Sequence, residues 1–282
     1  MTYILYNPLA NCGDGMKDMD KVQSAMGTER PGQEIKLVDV TREPAAAVLM
    51  GMGAEDAAVI CGGDGTLHHL INDLNGAVPT APVYVWRMGT GNDFLRDVLG
   101  ASKAERVQLN EYIKALPCGE VNGQRIRFLN NLSFGLDGQV CEQGELERER
   151  LGRRVNYIGR ALRMVLGDYK PIKATVTVDG ESRTYERVWV ASAMNGRYFG
   201  GGFKIAPGQD RNSDKLCVVV LHNLNRVQAL LNLARVYWGG HVKMRQCDVR
   251  FGHEVSVTCD RPTALNMDGE VFNRATGYGA EK

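Results

Sequence analysis

The sequence predicts an α/β region followed by a mostly antiparallel β region, and three observations support this fold class. Residues 1–116 alternate apolar strand patterns with helical patterns, which is typical of a mostly parallel, three-layer sheet. Two turns in this region are rich in glycine and lead from a strand directly into a helix. From residue 117 onward, short β runs are separated by hairpin turns such as Asn122-Gly123, and residues 126–134 are expected to form one strand after that turn. We therefore expect two domains, residues 1–116 and residues 117–282.

The first elements follow from short apolar runs and from the residues that end them. The first strand runs into a turn at Asn7 and Pro8, and the second strand ends at Thr41. Pro44 suits the first turn of the helix that follows. On the sequence alone, the Thr41 hydroxyl is interpreted as part of the N-cap region of that helix. These predicted elements are strand, helix, strand and helix over residues 2–6, 16–26, 34–40 and 45–52.

The first glycine-rich turn lies between a buried strand and an amphipathic helix. Residues 57–60 are uniformly apolar, and leucine and isoleucine then recur with helical spacing over 67–74. Phosphate binds at such a turn in an α/β sheet, because free backbone N–H groups and the positive helix end converge there. A carboxylate in the turn indicates Mg²⁺ accompanying the phosphates, and the alternative is an ordinary turn with a capping aspartate. The turn comprises Gly62, Gly63, Asp64, Gly65 and Thr66.

A second turn of the same kind follows one βα unit later. Residues 82–86 predict a strand and residues 94–99 predict a helix. Two such units can face one nucleotide across the carboxyl ends of a sheet, so the pair favours nucleotide binding more strongly than either turn alone. The second turn comprises Gly89, Thr90, Gly91, Asn92 and Asp93.

Composition and missing motifs exclude several function classes. The net charge of +1 over 282 residues argues against bulk nucleic-acid binding. The seven cysteines form no CxxC pair, which disfavours a zinc site and a disulfide framework. The sequence contains no GxGxxG, no Gly-Lys dipeptide, no GxSxG and no HExxH, so the dinucleotide fingerprint, the Walker A loop and the commonest hydrolase signatures are missing.

The paired motifs CGGDGT, at 61–66, and MGTGNDFLR, at 88–96, closely resemble the catalytic domain of the soluble diacylglycerol kinases. That group includes the sphingosine and ceramide kinases and is distantly related to NAD kinase. The resemblance implies an NAD-kinase-like α/β nucleotide domain, a C-terminal β-sandwich and a lipid site in the cleft between them. It also implies ATP-dependent phosphorylation of diacylglycerol or a similar lipid alcohol, with Mg²⁺ as cofactor.

The resemblance assigns nucleotide contacts and metal-organising carboxylates to the first domain. Asp64 and Asp93 would organise Mg²⁺, directly or through water. Asn11 stands where the family usually has glycine, and His69 would lie close to the nucleotide, whereas His68 is expected on a solvent or interdomain face. The implied nucleotide-binding residues are Asn7, Pro8, Ala10, Asn11, Thr41, Gly62, Gly63, Asp64, Gly65, Thr66, His69, Gly89, Thr90, Gly91 and Asn92.

Two further segments take their meaning from the resemblance. Residues 268–270 read as a turn between two strands, and they match a family motif whose glutamate is the catalytic base, here Glu270. Residues 211–216 match a segment that holds a structural Mg²⁺ through the Asp214 side chain and the carbonyls of Arg211 and Leu216. Lys215 replaces the usual glycine of that segment. Without the resemblance, Asp214 would be a plain turn residue.

One departure from the family pattern leaves other functions open. The family commonly has an aspartate where this sequence has Pro117, and Glu120 is close but shifted along the strand. The first alternative function is phosphorylation of NAD. The second is a nucleotide- or lipid-binding regulator that has lost activity, although retention of Asp64, Asp93 and Glu270 argues against it.

The sequence also indicates where a membrane would be met. Residues 148–173 combine basic and apolar residues, which suits an anionic membrane surface, and the alternative is a helix packed on the sandwich. A second helical pattern over 230–238 is interpreted as core. No apolar stretch spans a bilayer, so we expect a cytoplasmic protein with peripheral contact at the inner membrane surface. Family members often dimerise, which makes a homodimer one expected assembly.

Overall fold

The computed structural model describes residues 1–8, 19–88, 91–151 and 155–282. The chain divides into two compact units, Met1–Ala115 and Leu116–Lys282. The described elements of the first unit are β1 Thr2–Tyr6, α1 Met19–Glu29, β2 Ile35–Asp39, α2 Ala45–Met50, β3 Ala57–Gly62, α3 Asp64–Asp73, β4 Val83–Arg87, α4 Asp93–Leu99, β5 Arg106–Gln108 and α5 Asn110–Lys114.

The first unit is built on a sheet whose described strands run in the order β2-β1-β3-β4-β5. Strands β1 to β4 pair in parallel, and β5 pairs antiparallel with β4 at the edge. Ile4 and Val59 pack with Met26 of α1 on one face, while Leu5 and Ile60 are buried on the opposite face. The mostly parallel α/β fold predicted for this region is therefore confirmed.

The second unit is mostly antiparallel β structure with helices after β8 and β11. A π-helical turn, Met164–Asp168, follows α7, and a 3-10 turn, Gly240–Lys243, follows α9. Its described strands and α-helices are β6 Cys118–Val121, β7 Gln124–Arg127, β8 Asn131–Gly135, α6 Leu136–Leu151, α7 Tyr157–Arg163, β9 Ile172–Val178, β10 Glu181–Met194, β11 Leu216–His222, α8 Arg226–Leu231, α9 Leu233–Trp238, β12 Cys247–Gly252, β13 Glu254–Met267 and β14 Glu270–Glu281.

Two long strands bend the second sheet around its core. Strand β10 pairs with β9 through its first half and with β8 through its second half, and the register of the β9 pairing shifts between Tyr185 and Val188. Strand β13 also pairs with β9 and then with β8. The four strands therefore enclose an apolar core that includes Phe134, Val176 and Leu265. This arrangement confirms the predicted β-sandwich type of second domain.

Several predicted elements differ from the structure. The expected continuous strand over 126–134 is interrupted after Arg127 and resumes at Asn131. Residues 148–173 do not form one helix, because they contain the end of α6 and then the separate helix α7. Asn156 caps α7, and its side chain accepts a hydrogen bond from the Gly159 amide at 2.9 Å. The interpretation of 230–238 as core is wrong: α8 and α9 contain no buried residue.

The start of the first predicted helix, from 16 to 18, lies outside the described residues, and α1 is seen from Met19. None of the helices in the described parts of the chain is both long and apolar enough to cross a membrane.

Candidate active site

Asp64 links the two glycine-rich turns of the first unit. It begins α3 directly after Gly63, which occupies the N-cap position. Its Oδ2 accepts a hydrogen bond from the Asp93 amide at 2.8 Å, and its Oδ1 accepts one from the Phe94 amide at 3.0 Å. These amides belong to the first turn of α4, so one carboxylate binds the start of the neighbouring helix. The structure therefore brings Asp64 and Asp93 together at the carboxyl ends of β3 and β4.

The backbone of the first turn is open where a ligand would need access. A side chain placed on Gly63 or Gly65 would meet no atom within 4 Å. Gly62 is different, because a Cβ there would lie 2.6 Å from the Thr66 side chain. Glycine at 62 thus permits packing against the helix, whereas glycines at 63 and 65 leave the backbone exposed to a bound group.

The second turn is described only from Gly91 onward. Asn92 has a left-handed conformation with φ of 54°, which asparagine tolerates better than most residues. A Cβ on Gly91 would lie 3.2 Å from Asp64 Oδ2, so glycine allows the close approach of this turn to the carboxylate. Asp93 is buried, with 5% of its surface exposed. Gly89 and Thr90, which were predicted to bind nucleotide, lie outside the described residues.

Three further predicted nucleotide contacts, Asn7, Pro8 and Thr41, lie just after strands of the first unit. Asn7 and Pro8 follow β1 directly, whereas Ala10 and Asn11 lie outside the described residues. Thr41 follows β2, and its amide and hydroxyl both donate to Asp39 Oδ1, at 2.9 and 2.7 Å. The interpretation of Thr41 as an N-cap hydroxyl is wrong, because Pro44 occupies the N-cap of α2.

The two histidines of α3 lie in different environments. His69 is exposed, as a residue close to a ligand could be. His68 is buried, with 4% of its surface exposed, which rules out the solvent face, one of the two places predicted for it. Residue 68 lies next to Leu67 and one turn before Ile71, both buried, and this places it on the inner face of the helix.

In the second unit, Asp268 fixes the turn that carries Glu270. The side chain of Asp268 is buried, and its carboxylate accepts three backbone amides, from Leu129 at 2.5 Å, Asn130 at 2.7 Å and Asn131 at 3.1 Å. These amides belong to the interruption between β7 and β8, so the carboxylate replaces the strand pairing that the sequence predicted there. The predicted turn between two strands is confirmed by the pairing of Met267 with Glu270.

Glu270 is half-buried at the start of β14, near carboxylates that the sequence did not single out. Asp137 is buried at the start of α6, and its Oδ2 accepts from Asn266 Nδ2 at 3.2 Å. Burial raises the pKa of Asp137. Burial and the nearby charge of Glu270 raise the pKa of Glu145, two turns further along α6. In the sequence, only the spacing of eight residues between Asp137 and Glu145 on one helix indicates that the two carboxylates lie on the same side.

The three predicted ligands of the structural Mg²⁺ do not fit that ion. The Arg211 carbonyl accepts a hydrogen bond from the Lys282 ammonium at 2.6 Å. The Asp214 side chain is 79% exposed, with Oδ2 4.0 Å from His253 Nε2, and Leu216 begins β11 in register with Gly252. A divalent cation about 4 Å from an ammonium would be repelled by about 8 kcal/mol at an effective dielectric constant of about 20.

The charge state of Lys282 also disfavours a divalent cation at the Arg211 carbonyl. Burial, followed by the guanidinium of Arg211, lowers the pKa of Lys282 to about 8, so the ammonium remains its main form at neutral pH.

Glu120 does not stand in for the carboxylate missing at residue 117. Pro117 is buried, and its carbonyl accepts the Phe128 amide at 3.2 Å. Glu120 is exposed on β6, paired in register with Arg125 of β7 and Gly279 of β14. The side chain of Glu120 therefore does not replace the buried position three residues earlier.

Comparison with known families and proteins places these features in context. Residues 1–121 match the diacylglycerol kinase catalytic domain, and residues 130–277 match the YegS C-terminal NAD kinase beta sandwich-like domain. The chain is 25% identical over 229 residues to the Bacillus subtilis protein named "Putative lipid kinase YtlR", covering 76% of this chain and 74% of that protein. It is 26% identical over 222 residues to a diacylglycerol kinase of Mycobacterium tuberculosis, covering 76% of this chain and 70% of that protein.

A solved structure supports the fold over nearly the whole chain. The crystal structure of a "putative diacylglycerol kinase" from Bacillus anthracis matches with a TM-score of 0.69 and 18% identity, covering 99% of this chain and 93% of that one. The two matched domain models account for both units and occur in the order that the structure shows. This chain therefore belongs to the diacylglycerol kinase family of lipid kinases, with a catalytic domain followed by a β-sandwich-like domain of the YegS type.

Proposed function

We propose that this chain transfers the γ-phosphoryl group of ATP to the hydroxyl of diacylglycerol or a similar lipid alcohol. The observation that carries the proposal is the Asp64 carboxylate, which binds the amides of Asp93 and Phe94 and so joins two strand-to-helix turns. Adjacent parallel strands of an α/β sheet present such turns at one edge, where nucleotides bind.

The first unit would bind the nucleotide. The exposed backbone at Gly63 and Gly65, at the start of α3, suits an anionic phosphate group. Asp64 and Asp93 would hold Mg²⁺, which when bound neutralises phosphate charge. An ionised carboxylate has about four acceptor directions, so Asp64 can bind two amides and also face a cation or its water shell.

Glu270 would accept the proton of the lipid hydroxyl. The turn that precedes it is fixed, because Asp268 binds three amides and Asn266 Oδ1 accepts the Gly269 amide at 2.8 Å. A base held by a tight turn at a strand end keeps its orientation towards an acceptor. The buried carboxylate of Asp137 would position Glu270 through the Asn266 side chain and the strand it belongs to.

The lipid acceptor implies a lipid surface, and the second unit offers a face for one. Residues of α7 and of the α8–α9 pair expose large apolar side chains around a shared buried cluster that includes Val165 and Leu224. Basic side chains, among them Arg163 and Lys170, lie exposed in the same region. We place the protein on the cytoplasmic side, in peripheral contact with the inner membrane surface.

A second candidate is a regulator that binds nucleotide or lipid without turnover, and Pro117 favours it. A carboxylate common in the family is missing at this buried position, and Glu120 faces solvent. The retained carboxylates at 64, 93 and 270 favour the kinase, because a binding protein has no need of a base.

The deciding experiment is Mg²⁺-dependent phosphoryl transfer from labelled ATP in mixed micelles. Diacylglycerol, sphingosine-type lipids and monoacyl lipids would be offered beside NAD as a soluble acceptor. We expect labelled lipid from the wild type, and a loss of roughly 10²-fold or more in Glu270→Gln with nucleotide binding unchanged. Labelled NAD would overturn the lipid assignment. Nucleotide binding without any labelled product would favour the regulator.

A further inference from the structure

Lys282 holds together two distant segments of the second unit. Its ammonium donates to Asn195 Oδ1 and to the Arg211 carbonyl, both at 2.6 Å. Its backbone amide donates to the His253 carbonyl at 3.0 Å, which fixes the residue at the end of β14. The side chain therefore reaches from the sheet into the loop that leads to β11.

The groups that Lys282 binds are themselves part of a buried network. Asn195 donates from Nδ2 to the Leu129 carbonyl at 2.8 Å, and its amide donates to the Asn130 carbonyl at 2.9 Å. The Arg211 guanidinium donates to the same Leu129 carbonyl and to Asn130 Oδ1, the latter at 2.7 Å. Asn195 is 1% exposed and Arg211 is 8% exposed. The ammonium thus completes a network that fixes the loop against residues 129–130.

The Arg211 carbonyl is also the position where the family resemblance placed a structural Mg²⁺. A hard cation and an ammonium both bind carbonyl oxygens, and the repulsion between their like charges disfavours both at one carbonyl. The predicted carboxylate ligand, Asp214, is directed to solvent and lies near His253. The Lys282 ammonium therefore binds the carbonyl at which the resemblance implies a Mg²⁺ ion.

We propose that the Lys282 ammonium takes the place of the structural divalent cation, so that the loop from 195 to 216 folds without a bound metal. This role of Lys282 does not depend on whether the chain proves to be a kinase. Lys215 provides a matched control, because this exposed lysine lies in the same loop and takes part in its hydrogen bonding through its carbonyl, which accepts from Gln209 Nε2 at 2.9 Å.

The test is thermal unfolding of the full chain without nucleotide, with excess EDTA and with millimolar Mg²⁺, together with metal analysis of the desalted protein. We expect an unchanged Tm under both conditions and no stoichiometric metal. Lys282→Met should lower the Tm by several degrees, since charge-assisted hydrogen bonds to buried groups are lost. Lys215→Met should leave the Tm unchanged, and Lys282→Arg, which keeps a cation, should recover part of the loss.

Hydrogen exchange gives a second measurement that does not depend on global stability. In Lys282→Met, amides of residues 209–216 should exchange at least tenfold faster, while those of the β9–β10 hairpin should keep their wild-type rates. A lower wild-type Tm in EDTA, or stoichiometric bound metal, would overturn the proposal. An unchanged Tm together with unchanged exchange in Lys282→Met would overturn it as well.

Discussion

The Asp64 carboxylate makes the N-terminus of α4 different from that of α3. Its carboxylate satisfies amides in the first turn of α4, so that end of the helix already faces an anion from the chain itself. At the turn before α3, a side chain on Gly63 or Gly65 would meet no atom within 4 Å, so the backbone there is open to a ligand. A phosphate group is therefore expected at the start of α3, and the start of α4 is held rigid beside it.

Burial disfavours the charged form of the Asp137 carboxyl in the second unit. The carboxyl is buried, and desolvation outweighs its hydrogen bonds, so its pKa in the folded protein lies above that in the unfolded chain. In the interval between the two pKa values the folded state binds more protons. Folding stability therefore falls as the pH rises through that interval, and the cost is fully present above the folded-state pKa.

We therefore expect Asp137→Asn to raise the Tm more at about pH 8 than at about pH 4. Asparagine keeps an oxygen that can accept from Asn266 Nδ2, so the substitution removes the charge with little change in shape. Scanning calorimetry at the two pH values measures the difference. Asp168→Asn, at an exposed position, is the control and should shift neither Tm. An equal effect of Asp137→Asn at both pH values would contradict the assignment.

At this scale the sequence predicts a residue well when a local motif carries it. Asp64 and Glu270 stand in short motifs, and the structure places both at turns of the expected kind. The role of Asp268 could not be predicted, because its three amide partners lie well over a hundred positions earlier in the chain. The same holds for Lys282, whose partners are residues 195 and 211.

At the scale of elements, the interruption between β7 and β8 depends on the turn between β13 and β14. Backbone amides at 129–131 point to Asp268 and not to a neighbouring strand, so these three backbone donors are satisfied at the interruption. The loop at 195 then binds the carbonyls of residues 129 and 130. The turn at 268 and the loop at 195 thus both bind residues 129–131, although the three segments are far apart in sequence.

Asp268→Ala should accordingly destabilise the protein by about 3 kcal/mol or more, because three amide hydrogen bonds to a buried carboxylate are lost. Urea unfolding of the full chain measures the change in free energy. The matched control is Asp179→Ala, since Asp179 also precedes glycine in a hairpin with φ of 48°, against 52° for Asp268, and also accepts two amides. Asp179 is exposed, so its replacement should cost clearly less. Equal costs would show that strain in the turn, and not the buried carboxylate, dominates.

Element predictions succeeded where the pattern is local and failed where distant partners decide. The apolar run of β3 and the helical spacing after it gave the right unit, since both faces of a central strand are buried in a three-layer fold. The split of residues 126–134 required knowledge of Asp268. The helices α8 and α9 were misjudged because an apolar helical pattern is the same whether it faces a core or an outer surface.

At the scale of the whole molecule, the second unit exposes several large apolar side chains on its surface. Helix α7 and the π-helical turn bury Met164 and Val165, yet they expose Ile158 and Leu166 on the other side. Helix α8 begins at Arg226, which donates to the carbonyls of Val165 and Tyr169, so the two helical segments are joined. Apolar residues on both sides of a surface helix indicate a second apolar phase.

The exposed set, which we name the apolar patch, is consistent with docking to an anionic lipid surface. Each large side chain that inserts contributes roughly 1–3 kcal/mol, and exposed basic residues such as Arg163 and Lys170 add attraction. The members of the apolar patch and their exposed fractions are Tyr157 40%, Ile158 58%, Leu162 37%, Leu166 59%, Val227 66%, Leu231 73% and Trp238 76%.

The full chain should therefore bind vesicles that contain anionic phospholipid more tightly than neutral vesicles, and added salt should reduce the difference. Replacing Ile158 and Leu231 together by serine should weaken vesicle binding at least tenfold, because about 1 kcal/mol or more of apolar transfer is lost per residue. Vesicle flotation measures this, and Met50→Ser is the control, since Met50 is 52% exposed on α2 of the first unit. If the double variant binds as the wild type does, the apolar patch does not face the membrane. If it binds more weakly but phosphorylates a short-chain lipid dissolved in water at the wild-type rate, the apolar patch serves docking and not chemistry.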